Sequence, residues 1–361
     1  MVIILYYFYK TKGRVIIIKV EIILLTNNIV LPFQSLKEEH NLDFLELDKL
    51  FASKSLAEHG LGFLINVYKI EDSNHEEILL KKIVFDTGGS NLTYLHNLDI
   101  RGYPLYDLDY IVLSHWHYDH TGGLIKILER TDQKVPVICH ESAKFERLFK
   151  RSKNLRNQDL IGKTKHDLSP LLTSSKIVNQ EPINFEQIES LNGLVHFTKD
   201  TFEIPNIKGL KVLVSGEIPR VHHDEDFDNF FSLQSGIVKV DKILDDKCLI
   251  LEFDERIVLL NGCCHSGIMN TIDYVKDQSD KPITHIIGGF HMASASDKRI
   301  RITLDYLNSL EMFNDTLYLF PIHCSGEKFV KIANTPNYDK IHAFNVSVGT
   351  TFSFNEENNL M

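Results

Sequence analysis

The segment Ser114-His115-Trp116-His117-Tyr118-Asp119-His120-Thr121-Gly122-Gly123 carries four metal-ligand side chains within six residues: His115, His117, Asp119 and His120. Imidazole and carboxylate at this density suit Zn, with Fe or Mn as alternatives. His115 and His117 lie two apart, so on an extended backbone they point to one side. Asp119 and His120 follow at once and can serve a second ion beside the first. Three more histidines, His265, His291 and His323, stand near glycines where strands are expected to end. Glycine there allows a tight turn and close approach to a ligand. A two-metal site wants roughly three protein ligands per ion. His115, His117 and His265 are the expected first set, and Asp119, His120 and either His323 or His291 the second. For His291 a substrate-facing place is the rival role. Two divalent ions about 3.5–4 Å apart acidify a water held between them and clamp the attacking and leaving oxygens, which is chemistry for hydrolysing an ester or phosphoester. Asp119 is also placed to pass a proton to the leaving group, and is the expected catalytic residue.

Other residues have weaker claims. Glu58 and His59 open a strand and are candidates for facing the substrate. Arg220, in Gly216-Glu217-Ile218-Pro219-Arg220, could grip a phosphate or carboxylate through its planar fork, or pair with Glu217. Cys263 or Cys264 could ligate as a thiolate, against the alternative of core packing. His222 and His223 sit beside Asp224, Glu225 and Asp226 and read as a solvated loop. His140, after a strand, is an outside candidate. Of Trp116 and Tyr118, at least one is expected to pack under the metal loop.

These side chains need elements to hold them. Leu108 to Leu113 is an apolar run of buried-strand length leading into the metal loop, and Leu124 to Leu128 reads as the helix leaving it. Val15 to Leu25 is a β-branched first strand. Asp72-Ser73-Asn74-His75 is turn chemistry between two strands, the second of which runs from Ile78 to Phe85 into Asp86-Thr87-Gly88-Gly89. Asn91 to Leu98 has helical spacing with Ser90 as a plausible N-cap. Val135 to Cys139 is a short strand, and Ser142 to Arg151 reads as helix. Residues 152–192 are polar and irregular, an expected insertion or lid with no core of its own. Cys248 to Phe253 and Arg256 to Leu260 form a hairpin, then helix Ile268 to Val275. A strand from Thr284 and another from Thr316 to Phe320 deliver His291 and His323. Strands followed by ligand-like residues and then helices, with hairpins among them, suit an α/β fold of two mixed sheets packed face to face with helices outside, the αββα sandwich.

The His-x-His-x-Asp-His motif resembles the signature of the metallo-β-lactamase superfamily. The segments Glu58-His59-Gly60-Leu61-Gly62-Phe63, Gly216-Glu217-Ile218-Pro219-Arg220, Gly262-Cys263-Cys264-His265-Ser266-Gly267-Ile268, Gly289-Phe290-His291 and His323-Cys324-Ser325-Gly326 occur in that order. Together they resemble one branch of it, over about residues 20 to 355. That branch includes archaeal enzymes identified as 7,8-dihydropterin-6-methyl-4-(β-D-ribofuranosyl)aminobenzene-5′-phosphate synthase, a dihydropteroate-synthase-like step of methanopterin synthesis. The resemblance implies that Asp86 orients the metal loop through hydrogen bonds. The sequence departs from the wider superfamily in two places. The usual His-x-x-Gly-His segment is missing, and Gly262-Cys263-Cys264-His265 stands where a Gly-Asp is usual. His265 would then supply a missing ligand, or one ion is held more loosely.

Composition bounds the partners. The chain has 361 residues, 43% hydrophobic and 24% charged, and a formal net charge of −10. An acidic balance argues against broad nucleic-acid binding. Five cysteines with one adjacent pair make a poor disulfide framework and point to a reducing, cytoplasmic setting. The apolar start, Met1 to Tyr9, is too short to span a bilayer, so no stable membrane association is expected. The expected organisation is an N-terminal extension (1–14) and one metallo-β-lactamase-like domain (15–361) with the insertion at about 152–192. The expected function is a metal-dependent hydrolase using two divalent ions on a small phosphorylated or ester substrate, extending to a pterin-related synthase. The alternatives are a catalytically silent metal-binding sensor and a di-iron redox protein.

Overall fold

The computed structural model describes residues 16–71, 76–225, 230–311 and 316–355. The expected N-terminal extension, the turn at Asp72–His75 and part of the acidic loop after Glu225 lie outside the described residues.

Two large sheets form the centre. In the first, the strand order is β2 (Leu45–Leu47), β19 (Thr350–Asn355), β1 (Ile16–Thr26), β3 (Gly62–Glu71), β4 (Glu76–Phe85), β5 (Tyr110–Val112), β6 (Val135–Cys139) and β9 (Gly193–Phe197). In the second it is β10 (Phe202–Ile204), β11 (Lys211–Val214), β14 (Cys248–Glu252), β15 (Ile257–Asn261), β16 (Ile283–Gly289), β17 (Leu317–Ile322) and β18 (Ile341–Ala343). Each sheet is antiparallel at one side and parallel at the other: β4, β5, β6 and β9 run parallel, as do β15 to β18.

The period of two along each strand builds the layers. Val20, Ile22 and Leu24 of β1 and Phe63 and Ile65 of β3 face Val212, Leu249, Leu251, Val258 and Leu260 of the other sheet in one buried cluster. The alternate residues face outward. Ile23, Leu25, Leu64 and Val84 meet Tyr94, Leu95 and Leu98 of the helix Thr93–Ile100. Ile250, Leu259 and Ile286 meet the helices Ile268–Gln278 and Asp297–Asn308. A strand buried on both faces reads as continuously apolar, which is why β15 is Ile-Val-Leu-Leu-Asn without alternation. The result is the αββα sandwich.

Two local expectations are corrected. Ser142 to Arg151 is not a helix but a short 3-10 turn, Glu141–Lys144, followed by strand β7 (Glu146–Lys150). Residues 152–192 do not lack a core. Their strand β8 (Ile177–Gln180) joins β7, β12 (Phe230–Gln234) and β13 (Ile237–Val240) in a four-stranded sheet. Leu148, Leu160, Leu168, Ile177, Phe231 and Val238 bury a small apolar cluster there. Pairing partners in β12, 81 to 87 residues downstream, override the local helical spacing. Ser90 sits two residues before the N-cap Leu92, and its Oγ accepts from the Leu92 and Thr93 N–H groups. Among the described residues, no helix is long and apolar enough to cross a membrane.

Candidate metal centre

Strand β5 stops at Val112 and the chain turns out through Ser114 to Thr121, ending in one helical turn, Tyr118–Thr121. Trp116 is buried and donates its indole N–H to Glu181 O at 3.0 Å, so it is the aromatic packed beneath the loop. Tyr118 is 51% exposed at the rim. Asp86, just past β4 and in the left-handed region at φ 57°, holds the loop from behind. Its Oδ1 accepts from Ser114 N at 2.7 Å, and its Oδ2 accepts from Ser114 Oγ at 2.7 Å and faces His120 Nδ1 at 2.6 Å.

These bonds set which ring nitrogens are bare. A serine hydroxyl has one proton, and Ser114 spends it on the Asp86 carboxylate. Ser114 Oγ must therefore accept from His115 Nδ1, 2.9 Å away, leaving His115 Nε2 with a free lone pair. His120 donates from Nδ1 to Asp86 and turns Nε2 towards Cys263 Sγ at 3.1 Å. His323 faces Asn28 Oδ1 with Nδ1 at 3.1 Å, which directs its Nε2 at Asp119 Oδ2, 3.3 Å away. His115 Nε2 and His117 Nδ1 face each other at 2.9 Å, and His117 Nε2 is buried with no hydrogen-bond partner among the described residues.

Lone pairs that converge on a carboxylate and on one another, away from water, are what a cation would satisfy. The donors fall into compact groups. The ligand atoms of His115, His117 and His265 lie within 4.8 Å of one another, as do those of Asp119, His120, Cys263 and His323. A third such group is Cys263, His291 and Cys324. The residues present thus fit divalent metal ions, by donor chemistry and by their unsatisfied inward-facing nitrogens.

The electrostatics agree with this. Burial pushes His117 down to about 3 and holds His115 and His265 well below the usual imidazole range, with neighbouring positive groups adding to it, so all three are neutral and able to ligate. His120 goes the other way. Burial opposes its charge, but Asp86 and Asp119 raise it to about 9, so in the metal-free chain a proton supplies the positive charge this site calls for. Burial works against ionised Asp119 too, yet His120, His323 and His59 hold its carboxyl well below the usual range. Burial likewise disfavours thiolate at Cys324, but hydrogen bonds from Cys263 and His291 bring it well down.

His59 is at the mouth: its Nε2 is 3.3 Å from Asp119 Oδ2, its ring stacks on His323 at 4.9 Å, and its side chain is 55% exposed. His291 approaches His265, with ring centroids 4.4 Å apart, and groups with the cysteines rather than with Asp119. Glu58 points away: Oε1 accepts from Gly89 N and Ser90 N at 3.0 and 3.2 Å, fixing the loop behind the site. Arg220 spends its fork on backbone, donating to His265 O at 2.6 Å and Lys242 O at 2.5 Å. It thereby steadies the turn that carries His265. His140 bonds Glu217 and Ser142, and His222 bonds Asp273, both apart from the three groups.

Four contributors had little or no signal in the sequence. Cys324 directly follows His323, but one cysteine after a histidine is an ordinary occurrence. Phe149 and Phe230, from β7 and β12, each pack a ring 5.2 Å from that of His117. The small sheet thereby walls one side of the centre. Asp245 ties the two together, its Oδ2 accepting from Trp116 N at 2.7 Å and from Arg147 Nη2 at 2.8 Å.

Residues 80–221 match the family model of the metallo-beta-lactamase superfamily. The αββα fold is shared with that superfamily, to which this segment of the chain is similar. The match takes in the metal loop and ends before Cys263, His265, His291 and His323. Two relatives come from Methanocaldococcus jannaschii. An uncharacterized protein is 28% identical over 294 residues, covering 81% of this chain and 94% of its own. A 7,8-dihydropterin-6-methyl-4-(beta-D-ribofuranosyl)-aminobenzene-5′-phosphate synthase is 28% identical over 281 residues, covering 75% and 82%. Among solved structures, a metal-dependent hydrolase of the beta-lactamase superfamily superposes with a TM-score of 0.62 at 19% identity, over 92% of this chain and 98% of that one.

Proposed function

We propose that this chain is a metal-dependent hydrolase of small ester or phosphoester substrates. One observation carries the reading: two compact donor groups, His115–His117–His265 and Asp119–His120–Cys263–His323, lie side by side with their lone pairs inward. Divalent ions bound there would activate water and stabilise charge on the attacking and leaving oxygens. The chain's own residues do the rest. Asp86 fixes the His120 tautomer and, through Ser114, that of His115. Asn28 does the same for His323. Asp119 and the exposed His59 stand at the mouth, where a proton can be moved to a departing oxygen. Phe149 and Phe230 keep water off the His117 side. Domain organisation follows the same reading: a metallo-β-lactamase-like domain from about residue 15, with the small sheet as its elaboration.

A second reading is a pterin-related transferase, supported by the 28% identical synthase. It needs a grip for a diphosphate leaving group, and Arg220, a candidate for gripping a phosphate or carboxylate, is engaged with backbone carbonyls. The hydrolase reading is therefore preferred.

The test is metal content by elemental analysis with turnover of bis-p-nitrophenyl phosphate, on wild type, His117→Ala and His323→Ala. At least two equivalents in wild type, about one fewer in each variant, and turnover that falls with metal content are expected. A wild type that holds no more metal than the variants after reconstitution would remove the reading.

A further inference from the structure

We propose that Cys263, His291 and Cys324 form a further soft-metal pocket that takes zinc or a similar thiophilic cation. It shares Cys263 with the second donor group above and otherwise stands on its own residues. The three ligand atoms lie within 4.8 Å of one another.

The pocket follows from strand register. β15, β16 and β17 are adjacent and parallel, paired Asn261 to Gly288 and Gly289 to Ile322. Their last residues are Asn261, Gly289 and Ile322. Cys263, His291 and Cys324 each stand two residues beyond; His291 and Cys324 are level, Cys263 is one register step away, and the turns after three neighbouring strands bring the three donors together. The turns that do this are held. His291 is in the left-handed region at φ 50°, and the preceding Phe290 N donates to Ser325 Oγ at 3.0 Å. Cys324 Sγ lies 3.6 Å from Cys263 O.

Gly289 keeps the space open. A Cβ there would come within 2.7 Å of Cys324 Sγ and 3.0 Å of Cys263 Cα. Two sulfurs and an imidazole make a softer set than the nitrogen and carboxylate donors alongside. Such a Cys₂His set suits tetrahedral zinc with a fourth position left for water or substrate, and discriminates against magnesium and manganese. A thiolate can bridge two ions, so Cys263 can serve both groups.

Cys324 is half-buried while the other four cysteines are buried, which makes it the thiol to follow. Full-length protein, reduced and freed of metal by chelation, is treated with iodoacetamide alone or with cadmium or magnesium, and labelling at position 324 is read by peptide mapping. Cadmium is expected to slow labelling by about ten-fold or more while magnesium leaves it unchanged. The same protection is expected in Asp119→Asn/His323→Ala, where the second group is disabled. Labelling that cadmium does not slow overturns the pocket, as does protection lost in the double variant, which would assign Cys324 to the second group. Cadmium-edge X-ray absorption on wild type needs no variant: an ion with two sulfur neighbours supports the pocket, and at most one sulfur per ion overturns it. Phosphodiester turnover is not read in either measurement, so the hydrolase reading can fail without touching this result.

Discussion

Asp86 is a small side chain with several tasks. One carboxylate takes the Ser114 amide, the Ser114 hydroxyl and the His120 ring. Asp86→Asn keeps the shape but replaces an acceptor oxygen by a donor, so His120 and Ser114 lose their fixed proton positions. Metal affinity is expected to fall about 10–100-fold, read by competition with a chromophoric chelator, while the circular dichroism spectrum stays that of wild type. An unchanged affinity would mean that the His120 tautomer is set elsewhere. Gly262 is the other sensitive residue. A Cβ there would sit 2.1 Å from Ser114 Oγ and 2.4 Å from its Cβ. Ser114 is buried and cannot give way without breaking its bond to Asp86. Gly262→Ala is expected to cost about 1–3 kcal/mol by overpacking, measured by urea unfolding, and to weaken metal binding as well.

At the scale of elements, the centre is made of strand ends. β4 delivers Asp86, β5 the His115–His120 loop, β15 Cys263 and His265, β16 His291, and β17 His323 and Cys324. All are parallel strands ending on the same side, where open α/β sheets hold their ligands. The small sheet is fastened to this edge by charge. Arg147 of β7 is buried and pairs with Asp241 and Asp245, and Asp245 also holds Trp116 N. Removing one member of a buried ion cluster leaves the others unpaired. Arg147→Met is therefore expected to cost about 3–5 kcal/mol, and to loosen the metal loop through Asp245. Hydrogen exchange at the Trp116 amide would register this: protection should fall in the variant, and unchanged protection would show that the small sheet does not brace the loop.

At the scale of the whole molecule, burying so many histidines makes metal-free stability depend on pH in two opposite directions. His115, His117 and His265 stay neutral in the fold, with His117 at about 3, while an unfolded histidine takes a proton near 6.5. Below about pH 6.5 the unfolded chain therefore binds more protons, and stability falls as pH falls, by about 1.4 kcal/mol per pH unit for each such group. His120 is raised to about 9, so the fold keeps a proton that the unfolded chain loses. Its contribution is complete below about 6.5 and fades as pH rises through about 9. Thermal melts in chelator should show a maximum near neutrality with losses on both sides. His265→Gln should flatten the acid limb alone. A flat profile between pH 4 and 9 would contradict the buried neutral histidines.

Much of the αββα architecture was legible in order along the chain, because burial on one or both faces of a strand writes a period of two or a continuous apolar run into local sequence. The dense candidate ligands of this loop were legible for a related reason: His115 to His120 are contiguous, so their meeting needs no knowledge of the fold. Cys263, His265, His291, His323 and Cys324 were visible only as residues near strand ends. Which of them share a donor group depends on the lateral order β15–β16–β17 and on the turns after each strand, and register between distant strands leaves no mark in any one of them. The same holds for β7, whose residues read as helix until β8 and β12 pair with it. The roles of Glu58 and Arg220 also waited on the fold, since a charged side chain at a turn meets backbone or substrate according to what the tertiary structure sets opposite it. Contiguous residues thus marked the candidate site, and long-range pairing decided which potential donors meet.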